Sequence, residues 1–268
     1  MSDDLLSVAQ DGRVRWITMN RPDARNALSL AMLAALDDAI AAAGADAGTH
    51  VIVLAAAGPV FCAGHDLKEL TQARGHDDKG QAFFTVTMER CAALMQNIVR
   101  CPKPVIAAVQ GTATAAGCQL VATCDLAVAS EGAKFATPGV HIGLFCSTPM
   151  VALSRNVGRK QAMEMLLTGV PISAAQAVND GLINRAVPAV QLNETVADLA
   201  ETIASKSPRT VKIGKEAFYR QAEMPLAEAY KLTAQVMVAN MLDADAKEGI
   251  DAFIEKRPAS WQPLREET

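Results

Sequence analysis

Short apolar runs of strand length alternate along this chain with longer stretches whose apolar residues recur at helical spacing. Residues 14–19 and 51–55 are strand candidates, and 29–43 between them carries a helical repeat, an order that predicts an α/β fold. Helices follow over 66–74 and 80–100, and the polar stretch 75–80 that joins them reads as a mobile loop. A strand is predicted over 105–109. The small-residue segment 112–118 then leads into a helical run ending near Cys124, and 125–129 resumes a strand. Helices over 148–157, 159–168 and 173–180 are punctuated by Gly158, Gly169 and Gly181, with Ser173 as an N-cap. After 183–187 the strand signal fades, and 190–256 reads as successive helices broken by Pro208 and Pro225. A boundary falls near 200–208, dividing the chain into a mixed body, 1–203, and a helical region, 204–268.

Half of the 268 residues are apolar but only 4% are aromatic, so the core is built from Ala, Val, Leu, Ile and Met, and a base-stacking platform is excluded. Lys and Arg number 25 against 29 Asp and Glu, a net charge of −4 with no basic run, which disfavours nucleic acid as a partner. The nearly uncharged stretch 51–65 is too short and too interrupted by Gly and Pro to span a bilayer, so no membrane association is expected. Met1-Ser2-Asp3-Asp4 is acidic, with neither a basic n-region nor Arg-rich transit character, which predicts a cytoplasmic protein. Cys62, Cys91, Cys101, Cys118, Cys124 and Cys146 form no C-x-x-C pair and have no His at ligand spacing. They read as small buried hydrophobes, and no metal site is expected.

Two junctions between strand and helix are unusually small and glycine-bearing: Cys62-Ala63-Gly64-His65-Asp66-Leu67 and Thr114-Ala115-Ala116-Gly117-Cys118. The first N–H groups of a helix lack intrahelical partners and favour negative charge, so two such junctions that converge would make an oxyanion hole. Close strand–helix packing explains small residues equally well. Neither segment holds G-x-G-x-x-G or a P-loop, so dinucleotide and nucleotide readings lack their motif.

A longer series of motifs runs in order: Asn20-Arg21-Pro22 with Asn26-Ala27-Leu28, Phe61-Cys62-Ala63-Gly64-His65-Asp66-Leu67, Pro104-Val105-Ile106-Ala107-Ala108-Val109-Gln110-Gly111, and Gly117-Cys118-Gln119-Leu120 with Cys124-Asp125. Gly158-Arg159-Lys160, Leu167-Thr168-Gly169, Gly181-Leu182-Ile183 and Glu248-Gly249-Ile250 complete it. Over nearly the whole chain the series resembles the enoyl-CoA hydratase/isomerase (crotonase) superfamily. Within it, 136–140 with 143–149 is most similar to the subgroup called enoyl-CoA hydratase domain-containing protein 3.

The resemblance implies a crotonase-like spiral of β-β-α units and a helical C-terminal region that takes part in oligomerisation and covers the active site. It also implies a homotrimer or dimer of trimers acting on acyl-CoA thioesters, with coenzyme A as part of the substrate and no permanently bound cofactor. The thioester carbonyl would be gripped by the backbone N–H groups of His65 and Ala116, and the coenzyme held near Arg25, Ala27, Ala63, His65, Asp66, Leu67 and Lys68. Where the family motif usually has Gly this chain has Ala116, whose N–H donor survives the change if its φ is negative.

The chain departs from the family at the catalytic positions. The two hydratase glutamates fall at Gln119 and Gly139, and a third acidic station falls at Ser147, so no carboxylate remains at any of them. Efficient hydration is therefore not expected. The open alternatives are chemistry that needs the hole without a carboxylate pair, such as decarboxylation, or a non-catalytic acyl-CoA binder. A substitute base could come from His65, or from His141 if 139–141 is strand-like and residues two apart share a face. A serine hydrolase using Ser147 and His141 ranks last, because Thr148-Pro149 reads as a helix N-cap with Pro at the first helical position. The apolar repeat in 224–242 is core or subunit interface, and Lys256 and Arg257 are candidate contacts for coenzyme phosphates.

Overall fold

The computed structural model describes residues 5–262; the acidic start, Met1 to Asp4, lies outside them. The chain opens with strands β1 (Leu6–Asp11) and β2 (Val14–Met19), helix α1 (Leu30–Ala45) and strands β3 (Val51–Ala56) and β4 (Val60–Cys62). Helices α2 (Leu67–Ala73) and α3 (Gln81–Arg100) follow, then β5 (Val105–Val109), β6 (Thr112–Thr114), α4 (Ala116–Thr123), β7 (Leu126–Ser130) and β8 (Lys134–Ala136). Then come α5 (Pro149–Asn156), α6 (Arg159–Thr168), β9 (Ile172–Ser173), α7 (Ala174–Asn179) and β10 (Arg185–Val187). Helices α8 (Leu192–Ala204), α9 (Pro208–Ala222), α10 (Leu226–Met241) and α11 (Ala244–Glu255) end the series.

The strands form a six-stranded sheet in the order β1-β2-β3-β5-β7-β10 and a four-stranded sheet in the order β4-β6-β8-β9. Three times in succession the chain lays one strand in the large sheet and the next in the small one: β3 then β4, β5 then β6, β7 then β8. Helices return it to the start of the next pair, which is the expected spiral of β-β-α units. Apart from β1 on β2 and β9 on β8, every pairing is parallel. The parallel strands β3 and β5 are near-continuous apolar runs because both of their faces are covered. On one face α8 packs Leu192, Val196, Ala200 and Ala204 against Val53, Ile106 and Val128. The other face carries the main core, which includes Leu33, Leu36, Leu54, Leu94 and Phe135.

Local chemistry sets the helix ends. The Ser29 hydroxyl accepts from Met32 N–H, Ser173 from Gln176 and Ser207 from Thr210, while Pro208 opens α9 where no N–H is needed. Residues 75–80, expected as a mobile loop, form a turn in which the Asp78 carboxylate accepts from Gly80 and Ala82 N–H. All six cysteines are free and buried, as their apolar surroundings implied. On α10 only Ala229 is buried, whereas Met237, Val238 and Met241 are exposed, so this repeat is not core of the single chain.

The C-terminal helices are anchored by one buried ion pair. Lys215 of α9, with a side chain 7% exposed, reaches Asp125 at 2.6 Å and also donates to the carbonyls of Ile98 and Lys103. The Tyr219 hydroxyl and the Val105 N–H donate to the same carboxylate. Removing one partner of such a pair strands the other charge without water. Lys215→Met is expected to cost about 3–5 kcal/mol and Tyr219→Phe about 1 kcal/mol, read by chemical unfolding at fixed protein concentration.

A second consequence concerns Ala115, which precedes α4 with φ +51° and ψ −119°, a conformation that suits Gly. Ala115→Gly is expected to stabilise by about 1 kcal/mol, the relief of strain exceeding the added chain entropy. By contrast Gly117→Ala, whose Cβ would fall 2.3 Å from the Cys62 carbonyl oxygen, is expected to lower the melting temperature sharply. Thermal unfolding of both variants checks the contrast.

Candidate active site

Strands β4 and β6 are parallel neighbours, so the junctions that leave them lie side by side. Gly64 has φ +89°, and a Cβ on it would stand 2.9 Å from the Ala115 Cβ and 3.4 Å from the Ala116 nitrogen. Together with the approach of Gly117 to Cys62, this brings the two small-residue segments into backbone contact. Leu28 N–H donates to the Gly64 carbonyl at 2.8 Å and Asp66 N–H donates to the Leu28 carbonyl. These two bonds flank His65 in a parallel bridge, so the N–H of His65 points away from Leu28. Ala116, the first residue of α4, presents one of the N–H groups that a helix cannot pair internally. Among the described residues neither N–H has an acceptor. Positive φ falls on Ala115 and not on Ala116, which meets the condition for the Ala116 donor.

The coenzyme candidates gather around the first junction. Ala63 N–H donates to the Arg25 carbonyl, Arg25 is exposed with φ +53°, Ala27 is buried, and Leu67 and Lys68 are exposed on the first turn of α2. Asp66 turns inward. Its carboxylate caps α2 by accepting from Lys68 and Glu69 N–H and pairs with the Arg21 guanidinium at 2.9 Å. Burial alone would raise its pKa, but Arg21 and the two N–H groups outweigh it and hold the carboxyl below its ordinary range.

Asn26 holds this arrangement together. Fully buried, its side chain accepts from Arg21 N–H and donates to the carbonyls of Ala57 and Val60. In the sequence, Arg21 and Asn26 stand out only as part of the family-like motif. The signal for their role was a polar residue amid buried neighbours.

Gln119 lies one turn along α4 from Ala116 and is buried, its amide oxygen 3.9 Å from the Cys91 sulfur. Gly139 lies in the tight turn Pro138–Ile142, where a Cβ would meet the Leu144 carbonyl oxygen at 2.9 Å and the Cys146 sulfur at 3.0 Å. The place of a glutamate side chain at this position is filled by the chain's own next loop. Because 138–142 is a three-residue-per-turn helix and not a strand, His141 does not share a face with Gly139; it is exposed and packs near Gly169.

The Ser147 hydroxyl sits 3.4 Å from the Phe145 carbonyl, with no bond to His141, so the hydrolase pair is not assembled. Thr148 has helical backbone angles and caps nothing with its side chain, although Pro149 does open α5 as expected. Arg257 is taken up by Glu248, at 2.6 and 2.9 Å, and by Glu255. His65 is half-buried with both ring nitrogens covered; burial draws its imidazole pKa down, opposed in part by a hydrogen-bond contact with the Leu28 backbone. Among the described residues no three metal-ligating side chains come together, and no helix is long and apolar enough to cross a membrane.

Comparison with known proteins adds the following. The family described as enoyl-CoA hydratase/isomerase matches residues 9–263. The chain is 50% identical over 257 residues to the rat mitochondrial protein called enoyl-CoA hydratase domain-containing protein 3, covering 96% of this chain and 84% of that one. The crystal structure of the human protein of that name superposes with a TM-score of 0.92 at 47% identity, covering 96% of this chain and 100% of the other. An enoyl-CoA hydratase from Mycobacterium smegmatis gives 0.92 at 49% identity over 96% and 99%.

The names of the rat, mouse and human relatives place those proteins in mitochondria, which overturns the expectation of a cytoplasmic protein drawn from Met1 to Asp4. An address is read from its own segment of a chain, so acidic residues at one position say nothing of the compartment. In sequence, in fold and in the ordered series of motifs, the chain belongs to the enoyl-CoA hydratase/isomerase family.

Proposed function

We propose that the chain binds acyl-CoA thioesters and polarises their carbonyl with the backbone N–H groups of His65 and Ala116, without working as an efficient hydratase. One observation carries this reading: two unpaired N–H groups face out of junctions locked together by Gly64 and Gly117. Such fixed donors stabilise the negative charge that develops on a thioester oxygen, each worth about 10²–10³ in rate. Arg25, Ala27, Ala63, Leu67 and Lys68 are the residues that would meet the coenzyme, which arrives as part of the substrate. Asp66 would serve by its backbone alone.

General acid–base groups contribute about 10²–10⁴, and neither position that should supply them does. The Gln119 amide positions a water but takes no proton from it. Hydration therefore lacks its proton carriers, whereas loss of CO₂ from an α-carboxyacyl thioester generates the enolate without a base. The uncharged character of Gln119 and Gly139 favours that second reading, because no carboxylate there opposes the substrate's own. Binding without turnover is the remaining outcome.

The mixed body 1–203 would carry the hole, and the helical region 204–268 would cover it and join subunits into a homotrimer or dimer of trimers. Exposed Tyr230, Met237, Met241 and Phe253 on α10 and α11 support an interface. Light scattering on the purified protein is expected to give three or six times 28.2 kDa; a monomer at micromolar concentration would overturn the assembly.

Crotonyl-CoA tests the site. Its enoyl absorbance is expected to shift to longer wavelength on binding, with hydration at least about 10²–10⁴-fold slower than in a relative that keeps both glutamates. Gln119→Glu, which adds no atom to the packed site, is expected to raise hydration. Gly139→Glu is expected to disrupt the 143–146 loop and lower stability. Brisk hydration by the wild type would overturn the argument from the missing carboxylates, and release of CO₂ from methylmalonyl-CoA would select decarboxylation over simple binding.

A further inference from the structure

Where the chain enters β5, away from the junctions that follow β4 and β6, the end of α3 and one face of α9 enclose a cavity of about 390 Å³. A space of this size suits a small organic ligand. Val99, Pro102 and Tyr219 give it an apolar wall, and its charged wall is Arg100, Lys212, Lys215 and Arg220 against the single carboxylate of Glu216. Four cations facing one acid reverse the balance of the whole chain, whose net charge is −4. Lys215 is spent on Asp125, to which the Tyr219 hydroxyl also donates, so the base of the cavity is fixed. Arg100 and Arg220 are exposed and weakly engaged: Arg100 donates to the neutral Gln96 amide at 3.1 Å, and Arg220 meets Glu216 at 3.4 Å, a surface pair of small worth.

Lys103 supplies a second observation. It is 3% exposed, and among the described residues its ammonium has neither a hydrogen-bond acceptor nor an ion-pair partner. Burial draws its pKa down; Cys101 and Asp46 act against that and Lys212 adds to it. Asp46 gives little relief, because its carboxylate already accepts from Arg15, Thr49 and the Gly48 N–H. A buried ammonium so poorly matched is costly. Cys101 and Lys212, which act on it, both line the cavity, so negative charge bound there would offset the cost.

We propose that this cavity is a second ligand site, for a diphosphate carried on a flat apolar body, with Arg100 and Arg220 gripping the phosphates and the body lying against Val99, Pro102 and Tyr219. Guanidinium forks match phosphate oxygens two at a time, and two phosphates answer the surplus of positive charge. Arg100 belongs to α3 and Arg220 to α9, so an occupied site ties the helical region to the body beside the Lys215–Asp125 pair. The inference stands apart from the thioester reading, whose groups lie at the other junctions.

Calorimetric titration of the full chain with ADP and with pyrophosphate tests this. ADP is expected to bind, to raise the melting temperature, and to bind more tightly than pyrophosphate, which lacks the apolar body. Replacing two exposed side chains together, Arg100→Gln with Arg220→Gln, is expected to weaken ADP about 10–100-fold. Glu216→Gln should strengthen it by removing the opposing charge, and the Nε–H resonances of Arg100 and Arg220 should move as ADP is added. Binding confined to the millimolar range, or an unchanged affinity in the folded double variant, overturns the site. Equal affinity for pyrophosphate overturns the place given to the apolar wall. ADP that crotonyl-CoA displaces and that ignores both arginines occupies the coenzyme site; that outcome overturns the inference while the crotonyl-CoA shift upholds the thioester reading.

Discussion

Everything at the candidate site depends on how closely two pieces of backbone approach. Gly117 stands where any Cβ would collide with the Cys62 carbonyl, and Gly64 stands where one would press on Ala115. These two absences of a side chain let β4 and β6 end at the same place, so that the N–H of His65 and the N–H of Ala116 leave neighbouring points. A larger residue at either glycine would separate the two N–H groups, which the proposed thioester reading requires within hydrogen-bond reach of one oxygen. The cost appears at Ala115, held at positive φ. Strain of this kind persists only where the surroundings over-determine it.

The electrostatic character of the site follows from what the chain does not place there. Gln119 sits beside the buried Cys91 thiol, and the Gly139 position is closed by Leu144 and Cys146. At 139 the loop that follows occupies the space that a side chain would need. The carboxylate next to His65, Asp66, is withdrawn into an ion pair with Arg21 and a helix cap. Under the proposed thioester reading, the fixed N–H dipoles of His65 and Ala116 would be the main source of charge stabilisation there, with no carboxylate at 119 or 139 to move a proton.

The same logic of charge withdrawn from solvent anchors the C-terminal helices. Asp125 receives Lys215, Tyr219 and the Val105 N–H, and Lys215 also satisfies two carbonyls of the segment before β5. A buried pair so fully bonded adds little net attraction over a hydrophobic contact, but it tolerates one docking position for α9 and penalises others. Among the described residues the helices beyond α9 place no comparable ion pair in the main core, and most of their large apolar side chains are exposed.

Much of this was legible in the residues themselves. The period of the apolar positions gave α1, α3, β3, β5 and the helical run after 190, because those segments are long or buried on both faces. The two glycine-bearing junctions and the lost carboxylates at Gln119 and Gly139 are statements about residue type, which a sequence carries in full. The strand β1 was not legible because five of its six residues are exposed and carry no alternation, and β4, β6, β8 and β9 because two or three residues are too few to show one. The sequence also could not show that 138–142 is a tight helical turn, which removes His141 from the face of Gly139, nor that Asn26 ties residues 21–26 to the β3–β4 connection. Those outcomes rest on contacts between residues far apart in the chain. What the amino-acid order determined by itself was which chemistry is present and which is absent; which groups meet, which are covered and which stay unpaired was decided by the tertiary structure, because burial and hydrogen-bond partnership are properties of neighbours in space.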